Sequence, residues 1–393
     1  MRRHRRLSPR WLMERGIRRV DWLRQFVRDL RTAAAESGTG MGPILWDLLV
    51  LNATRRIGVK AYFHYRLFDP RLTRKEKSEY LPDTHRFKAR FRTLLNPHAY
   101  RLPFANKLVF NRIFGGAGLP VAPLLGLYDP ELGQDSEGRS LRTAADLRDW
   151  LGRRGQNGFV FKPVAGTDGY QVLVFTGPAP DDPGSFLTMG GERYDADRLA
   201  AFAAQTKRLE RVALGDPRPY LLEERIFPHH LLADLIGPTL CCVRVVTLIG
   251  RSGEPSILGA VYKIQPEPLG VDHLDYGALG SWVDLETGAL GPGRSRQNFE
   301  YASVVPGTSR KFVGFQLPHW EEIKRLALRA ATIVPWARAI GWDIGISEKG
   351  PVLIEGNWHW STNLLQIAAP HGLMTGELKA LTDALASARR NGQ

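Results

Sequence analysis

The sequence predicts an α+β protein with mostly antiparallel sheets, preceded by a helical N-terminal region. Three observations predict it. From Asn106-Lys107 onward the chain breaks into short runs rich in β-branched and aromatic residues, separated by Gly and Pro. Several of these runs alternate polar with apolar residues, as strands covered on one face do. Helical periodicity returns between them at about 143–152, 195–210 and 319–340, and also runs through residues 1–37 and 44–100.

Residues 1–37 read as a basic amphipathic helix. Trp11, Leu12, Ile17, Val20, Leu23, Phe26, Val27 and Leu30 recur at roughly helical spacing among arginines. Residues 1–31 hold eleven Arg against Glu14, Asp21 and Asp29, which is +8 of the chain's net +14. Such a helix either lies on an anionic membrane surface or packs on the protein with its basic face solvated, and the sequence leaves both open. Ser37-Gly-Thr-Gly-Met-Gly-Pro43 then reads as a linker. Residues 44–100, with the aromatic Tyr62-Phe63-His64-Tyr65 and the basic stretch Arg71 to Lys77, form a second helical region. Residues 101–393 carry the strand-rich runs Phe159–Lys162, Val172–Phe175, Tyr220–Glu224, Cys242–Ile249 and Ile257–Lys263.

Composition narrows the function classes. At 393 residues, 43% hydrophobic and 24% charged, the chain can bury a core large enough for two or three structural units. No apolar run approaches the roughly 20 residues that cross a bilayer, and no apolar stretch follows Met1-Arg-Arg-His-Arg-Arg6 as in a signal peptide. A cytoplasmic location is expected. Cys241 and Cys242 are adjacent in an apolar segment, poorly placed to bridge each other and without metal-ligand spacing, so they read as reduced core residues. With the positive charge concentrated at one end and no zinc-finger or aromatic RNA-binding pattern, no specific nucleic-acid partner is expected.

The most telling motif is a hairpin running from Gly341 to Ser347, turned at Glu348-Lys349-Gly350 and returning from Pro351 to Asn357. A turn centred near Lys349 sets Asp343 opposite Glu355, and strand alternation puts Asn357 on the side of Glu355. Opposed carboxylates repel unless a cation lies between them, and such oxygen donors suit Mg²⁺ or Mn²⁺. The alternative is a surface hairpin with solvated acids. A second motif places Lys162 at the end of one strand, then a turn containing Gly166 and Gly169, then another strand. That is either a phosphate-binding lid or an ordinary Gly-rich hairpin. Tyr220 to Glu224 leads apolar residues into an acid pair. Arg244 interrupts an apolar strand and needs an anionic partner, whether a structural carboxylate or a ligand, and Lys263 poses the same choice.

Taken in series, Asn106-Lys107, Phe161-Lys162-Pro163 with Gly166 and Gly169, Leu222 to Ile226, Val243 to Thr247, and the Trp342–Asn357 hairpin resemble the ATP-grasp superfamily. The closest likeness is to its sugar-transfer-associated branch, over about residues 100–375. The resemblance implies ATP held between two α+β lobes, a lid lobe over about 155–230 and a metal-binding lobe over about 231–375. Lys107 and Lys162 would sit near the phosphates and the Glu223-Glu224-Arg225-Ile226 backbone at the adenine. Asp343, Glu355 and Asn357 would hold Mg²⁺, or Mn²⁺, and Arg244 with Lys263 would stabilise the transferring phosphoryl group.

The implied activity is ligation of a carboxylate to an amine through an acyl phosphate, in modifying a cell-surface polysaccharide or peptide. A phosphotransferase, or a weakly catalytic ATP-binding scaffold at a membrane glycan assembly, are the alternatives. The chain departs from the superfamily in two places. The usual ribose-binding acid is missing from Phe227-Pro228-His229-His230, where a histidine or Asp234 would have to replace it. In Val271-Asp272-His273, followed by Gly277 and Gly280, His stands where the branch has Asn. The aromatic run Trp358 to Asn363 reads as either an acceptor pocket or a packed corner.

Overall fold

The computed structural model describes residues 9–166, 169–205, 219–268, 270, 278–295 and 300–390, with side chains from Asp21 onward. The chain divides into two compact units, one reaching to Lys88 and including His371–Met374, the other Ala89–Pro370 with the C-terminal segment from Thr375.

The first unit is helical. A helix spans Pro9–Ser37 and another Met41–Arg55. The break between them is only Gly38-Thr39-Gly40, shorter than the predicted linker. Pro43 falls in the first turn of the second helix, where its missing N–H would have had no helical partner anyway. Trp11, Leu12, Ile17 and Val20 lie outside the described side chains; of the remaining predicted apolar face, Leu30 is buried, Phe26 and Val27 are half-buried, and Leu23 is exposed. Tyr62, Phe63 and Tyr65 are core residues. Asp47 is held by Lys77 Nζ at 2.7 Å and by the Tyr62 hydroxyl at 3.0 Å.

Among the described residues the second unit contains two sheets, antiparallel at every strand pair. The first joins β1 (Leu124–Tyr128), β2 (Gln134–Asp135), β3 (Phe159–Pro163), β4 (Leu173–Ala179), β5 (Asp182–Thr188), β6 (Arg193–Tyr194) and β7 (Tyr220–Glu224) in the order β2-β1-β7-β3-β4-β5-β6. The second joins β8 (Cys242–Ile249), β9 (Pro255–Ile264), β10 (Leu279–Val283), β11 (Leu290–Arg294), β12 (Ala339–Ser347) and β13 (Gly350–Asn357) in the order β11-β10-β9-β8-β12-β13.

Side-chain alternation decides what each sheet face does. In the first sheet Phe159, Phe161, Tyr220 and Leu222 pack under the helices Ala144–Arg154 and Ala196–Gln205, burying Leu147, Trp150, Leu151 and Leu199 with them. Val160, Lys162 and Glu223 therefore take the opposite face. In the second sheet Val243, Val245, Tyr262, Ile340, Trp342, Ile344 and Leu353 pack against the helix Trp320–Ile333. Arg244, Lys263, Asp343 and Glu355 take the other side.

The helix predicted over 319–340 ends at Ile333. Pro335 disfavours helical geometry at Val334 and removes a donor, and by Ala339 the chain is already in β12.

The hairpin β12–β13 corrects the predicted turn while keeping its consequence. Ser347 pairs with Gly350, so the turn is the two residues Glu348-Lys349, one half-residue short of the expected centre. Ile344 pairs with Leu353 and Asp343 with Glu355, which leaves Ile354 as an extra residue. This bulge restores the register; without it Asp343 would face Ile354.

Candidate active site

The residues expected at the phosphates, the adenine, the metal and the transferring phosphoryl group all line one cavity of about 390 Å³ between the two sheets. Lys107, Lys162, Gly166, Gly169 and Glu223 to Ile226 border it from the first sheet and its flanking segments. Arg244, Lys263, Asp343, Glu355 and Asn357 border it from the second.

Lys107 is the first residue of the helix Lys107–Gly116, whose N-cap Asn106 accepts the Val109 N–H at 3.0 Å. That cap fixes where the helix begins. The Lys107 backbone N–H donates to the Val164 carbonyl at 2.8 Å and its Nζ to the Gly166 carbonyl at 3.0 Å, tying the helix start to the glycine turn. Gly166 has φ +154° and Gly169 φ +70°, and the second of these is a left-handed conformation that glycine adopts without strain.

Across the cavity's first wall, Lys162 Nζ meets Glu223 Oε2 at 2.6 Å, both side chains buried on adjacent strands. Across its second wall, Asp343 receives Arg244 through Nε and, at 2.8 Å, through Nη2, with Lys263 Nζ at 3.3 Å. Strand pairing dictates this, since Asp343 lies directly opposite Arg244 between β12 and β8. Burial by itself would raise the Asp343 carboxyl. The charges of Arg244 and Lys263 outweigh that and hold it well below the usual carboxylate range. The anionic partner that Arg244 and Lys263 required is thus Asp343. Asn357 Nδ2 donates to Glu355 Oε1 at 3.2 Å, and both side chains are only partly buried.

Two glycines on β12 make room for this arrangement. A Cβ at Gly341 would stand 2.8 Å from the Trp360 Cβ and 2.9 Å from the Arg244 Cδ. One at Gly345 would meet Leu240 at 2.9 Å. The pattern Gly-Trp-Asp-Ile-Gly thus alternates core anchors with positions that must stay small or charged.

The doubtful positions resolve variously. His229, His230 and Asp234 do not line the cavity; His230 Nδ1 lies 2.7 Å from Glu348 Oε1 at the hairpin tip, and His229 Nε2 lies 3.7 Å from Oε2. Val271-Asp272-His273 and Gly277 fall outside the described residues, and Gly280 is on β10. The aromatic run divides: Trp358 and Trp360 are packed, against His98 and Phe91 respectively, while His359 and Ser361 line the cavity. Desolvation, with the nearby charges of Arg92 and Arg101, pushes His359 down to about 4.

Sequence reasoning missed the apolar wall. Val160, Val174, Met189, Leu240 and Ile354 line it, and Val160 at least was legible from its alternation with Phe159 and Phe161. Asn96 was also missed. Fully buried, it donates to the Ala339 and Trp358 carbonyls at 2.7 and 2.9 Å and accepts the Ala339 N–H at 2.9 Å, pinning the start of β12 to the end of β13. Its partners lie more than 240 residues away, beyond any local signal.

The sequence matches the family described as sugar-transfer associated ATP-grasp over residues 86–382. No curated protein matches it. Among solved structures, the chain is similar to the D-alanine-D-alanine ligase from Coxiella burnetii, at 11% identity over 74% of this chain and 61% of that one, TM-score 0.37. It is similar to the L-amino acid ligase from Bacillus licheniformis at 15% identity, covering 66% of this chain and 43% of that one, TM-score 0.37. A third is the D-cycloserine synthetase DcsG, at 16% identity over 76% and 77%, TM-score 0.41. The chain thus spans about three fifths of the length of the Coxiella enzyme.

Proposed function

The chain belongs to the sugar-transfer-associated ATP-grasp family, and on that premise we propose that it is an ATP- and Mg²⁺-dependent ligase joining a carboxylate to an amine. One observation carries the reading: a single cavity gathers the lysines, the arginine and three oxygen-bearing side chains of one hairpin.

The residues suit both groups the family implies. For the nucleotide, Val160, Val174, Met189, Leu240 and Ile354 offer an apolar wall to a flat base, beside the Glu223–Ile226 backbone. Lys107 and Lys162 offer positive charge to phosphates. For the metal, Asp343, Glu355 and Asn357 form a hard oxygen donor set on one sheet face, and Glu355 and Asn357 already lie side by side. Mg²⁺ held there would neutralise phosphate charge.

In the reaction, a substrate carboxylate oxygen attacks the γ-phosphorus, the bond to the β–γ bridging oxygen breaks, and ADP leaves. The amine then attacks the acyl carbon, loses a proton, and expels inorganic phosphate. The protein positions and stabilises charge and contributes no nucleophile. Arg244, oriented by Asp343, presents a fixed cation to the transferring phosphoryl group, and Lys263 reinforces it. The family's description names sugar transfer, and on this reading the carboxylate or the amine belongs to a cell-surface polysaccharide or peptide.

The test is ADP and phosphate release by the purified protein with Mg²⁺, against pooled carboxylates and amines, beside Lys162→Met and Glu355→Gln. Equal release of ADP and phosphate that needs carboxylate, amine and both side chains supports the ligase. ADP release indifferent to every carboxylate sinks it, and carboxylate-dependent ADP release with no amine consumed would make the protein a phosphotransferase.

A further inference from the structure

The helix Met41–Arg55 carries apolar residues on two sides. It buries Ile44, Leu48 and Leu51 on one side. At 3.6 residues per turn, Trp46, Leu49, Val50 and Ala53 cover the opposite side. Trp46 is 68% and Leu49 62% exposed, and Met41, at the helix start, is 47% exposed. The one charged residue before Arg55 is Asp47, and it is engaged by Lys77 and Tyr62. A surface helix normally turns charged or polar residues to water there, so an apolar strip of this extent marks a contact surface.

What covers it is indicated by the neighbouring charge. The helix Pro9–Ser37 also exposes Trp22 and Leu23, and it exposes Arg24, Arg28 and Arg31 further round its surface. Exposed Arg55, Arg56 and Lys60 follow the apolar helix. Tryptophan and leucine flanked by arginine match the boundary between acyl chains and anionic headgroups, where indole rings and basic side chains are favoured. A second copy of the chain would bring like charges together, which disfavours self-association. Fifteen residues are too few to span a bilayer, and no helix among the described residues is long and apolar enough to do so.

We propose that the outward face of the Met41–Arg55 helix docks on an anionic lipid surface. The helix lies in the plane of the interface, with Trp46 and Leu49 at the acyl boundary and the arginines against the phosphates. This differs from anchoring by the arginine-rich N-terminus alone, because the apolar strip is required. It stands independently of the ligase reading.

The experiment is co-sedimentation of the full chain with vesicles of phosphatidylcholine, alone or mixed with phosphatidylglycerol, at low and high salt. The expected result is binding to the mixed vesicles that weakens as salt rises. The double variant Trp46→Glu, Leu49→Glu should lose about tenfold or more in partition with its melting temperature unchanged, because both positions are exposed. Arg24→Gln, Arg28→Gln, Arg31→Gln should lose the preference for phosphatidylglycerol. Wild-type protein left in the supernatant would overturn the proposal. So would undiminished binding by the double variant, since the N-terminal arginines would then suffice. A wild-type dimer that the double variant converts to a monomer, with no vesicle binding, would reassign the face to contact between copies.

Discussion

Asp343→Asn removes the negative charge that Arg244 and Lys263 both contact. Asp343, Arg244 and Lys263 are 4%, 7% and 5% exposed, so water makes up poorly for the charge the two cations lose. Breaking a buried pair by deleting one partner costs about 3–5 kcal/mol, well above the value of an exposed ion pair. For a unit of roughly 300 residues, 1 kcal/mol corresponds to about 1.6 °C in melting temperature. The expected fall is therefore roughly 5–8 °C by calorimetry. A double-mutant cycle separates the pair from its surroundings. Arg244→Met alone strands Asp343 partly and should also destabilise, whereas Asp343→Asn combined with Arg244→Met should cost less than the sum of the two, leaving a coupling above about 1.5 kcal/mol. If Asp343→Asn costs less than about 1 kcal/mol, or the two losses simply add, the carboxylate is not what makes the buried cations tolerable. That result would refute the reasoning.

The same pair predicts an acid limb. Asp343 is held below its unfolded value of about 3.9, so its stabilisation is fully present above that pH and is lost as pH falls toward the folded value. Urea midpoints should therefore drop more steeply below about pH 4 in the wild type than in Asp343→Asn. Asn96→Ala leaves a buried N–H and two buried carbonyls without their partner, and should cost about 3 kcal/mol or more in urea unfolding. A loss under about 1 kcal/mol would mean that the β12–β13 junction holds without it. Gly341→Ala drives a methyl into Trp360 and the Arg244 stem, and should cost about 1–3 kcal/mol by thermal melting. Unchanged melting would show that Arg244 can move aside without loss.

The sequence by itself determined the strands that carry the site, β3, β4, β7, β8, β9 and the β12–β13 hairpin, but not β1, β2, β5, β6, β10 or β11. Period-2 alternation is a local property, so Gly341-Trp342-Asp343-Ile344-Gly345 already states that the acid shares a side with glycines and opposes a row of core residues. The pairing of Asp343 with Glu355 was legible too, although the predicted turn lay half a residue off and Ile354 had to bulge to restore it. The need of Arg244 for an anion was also legible, because a bare charge in an apolar strand is costly. The identity of that anion was not. Asp343 lies 99 residues on, and only the pairing of β8 with β12 brings the two together. Lys162 found Glu223 in the same way, through β3 and β7. The tertiary structure alone decided these partnerships, the apolar wall of the cavity, and the role of Asn96. Each depends on which strands become neighbours, and burial and hydrogen-bond satisfaction across the whole unit settle that choice, since local periodicity carries no information about it.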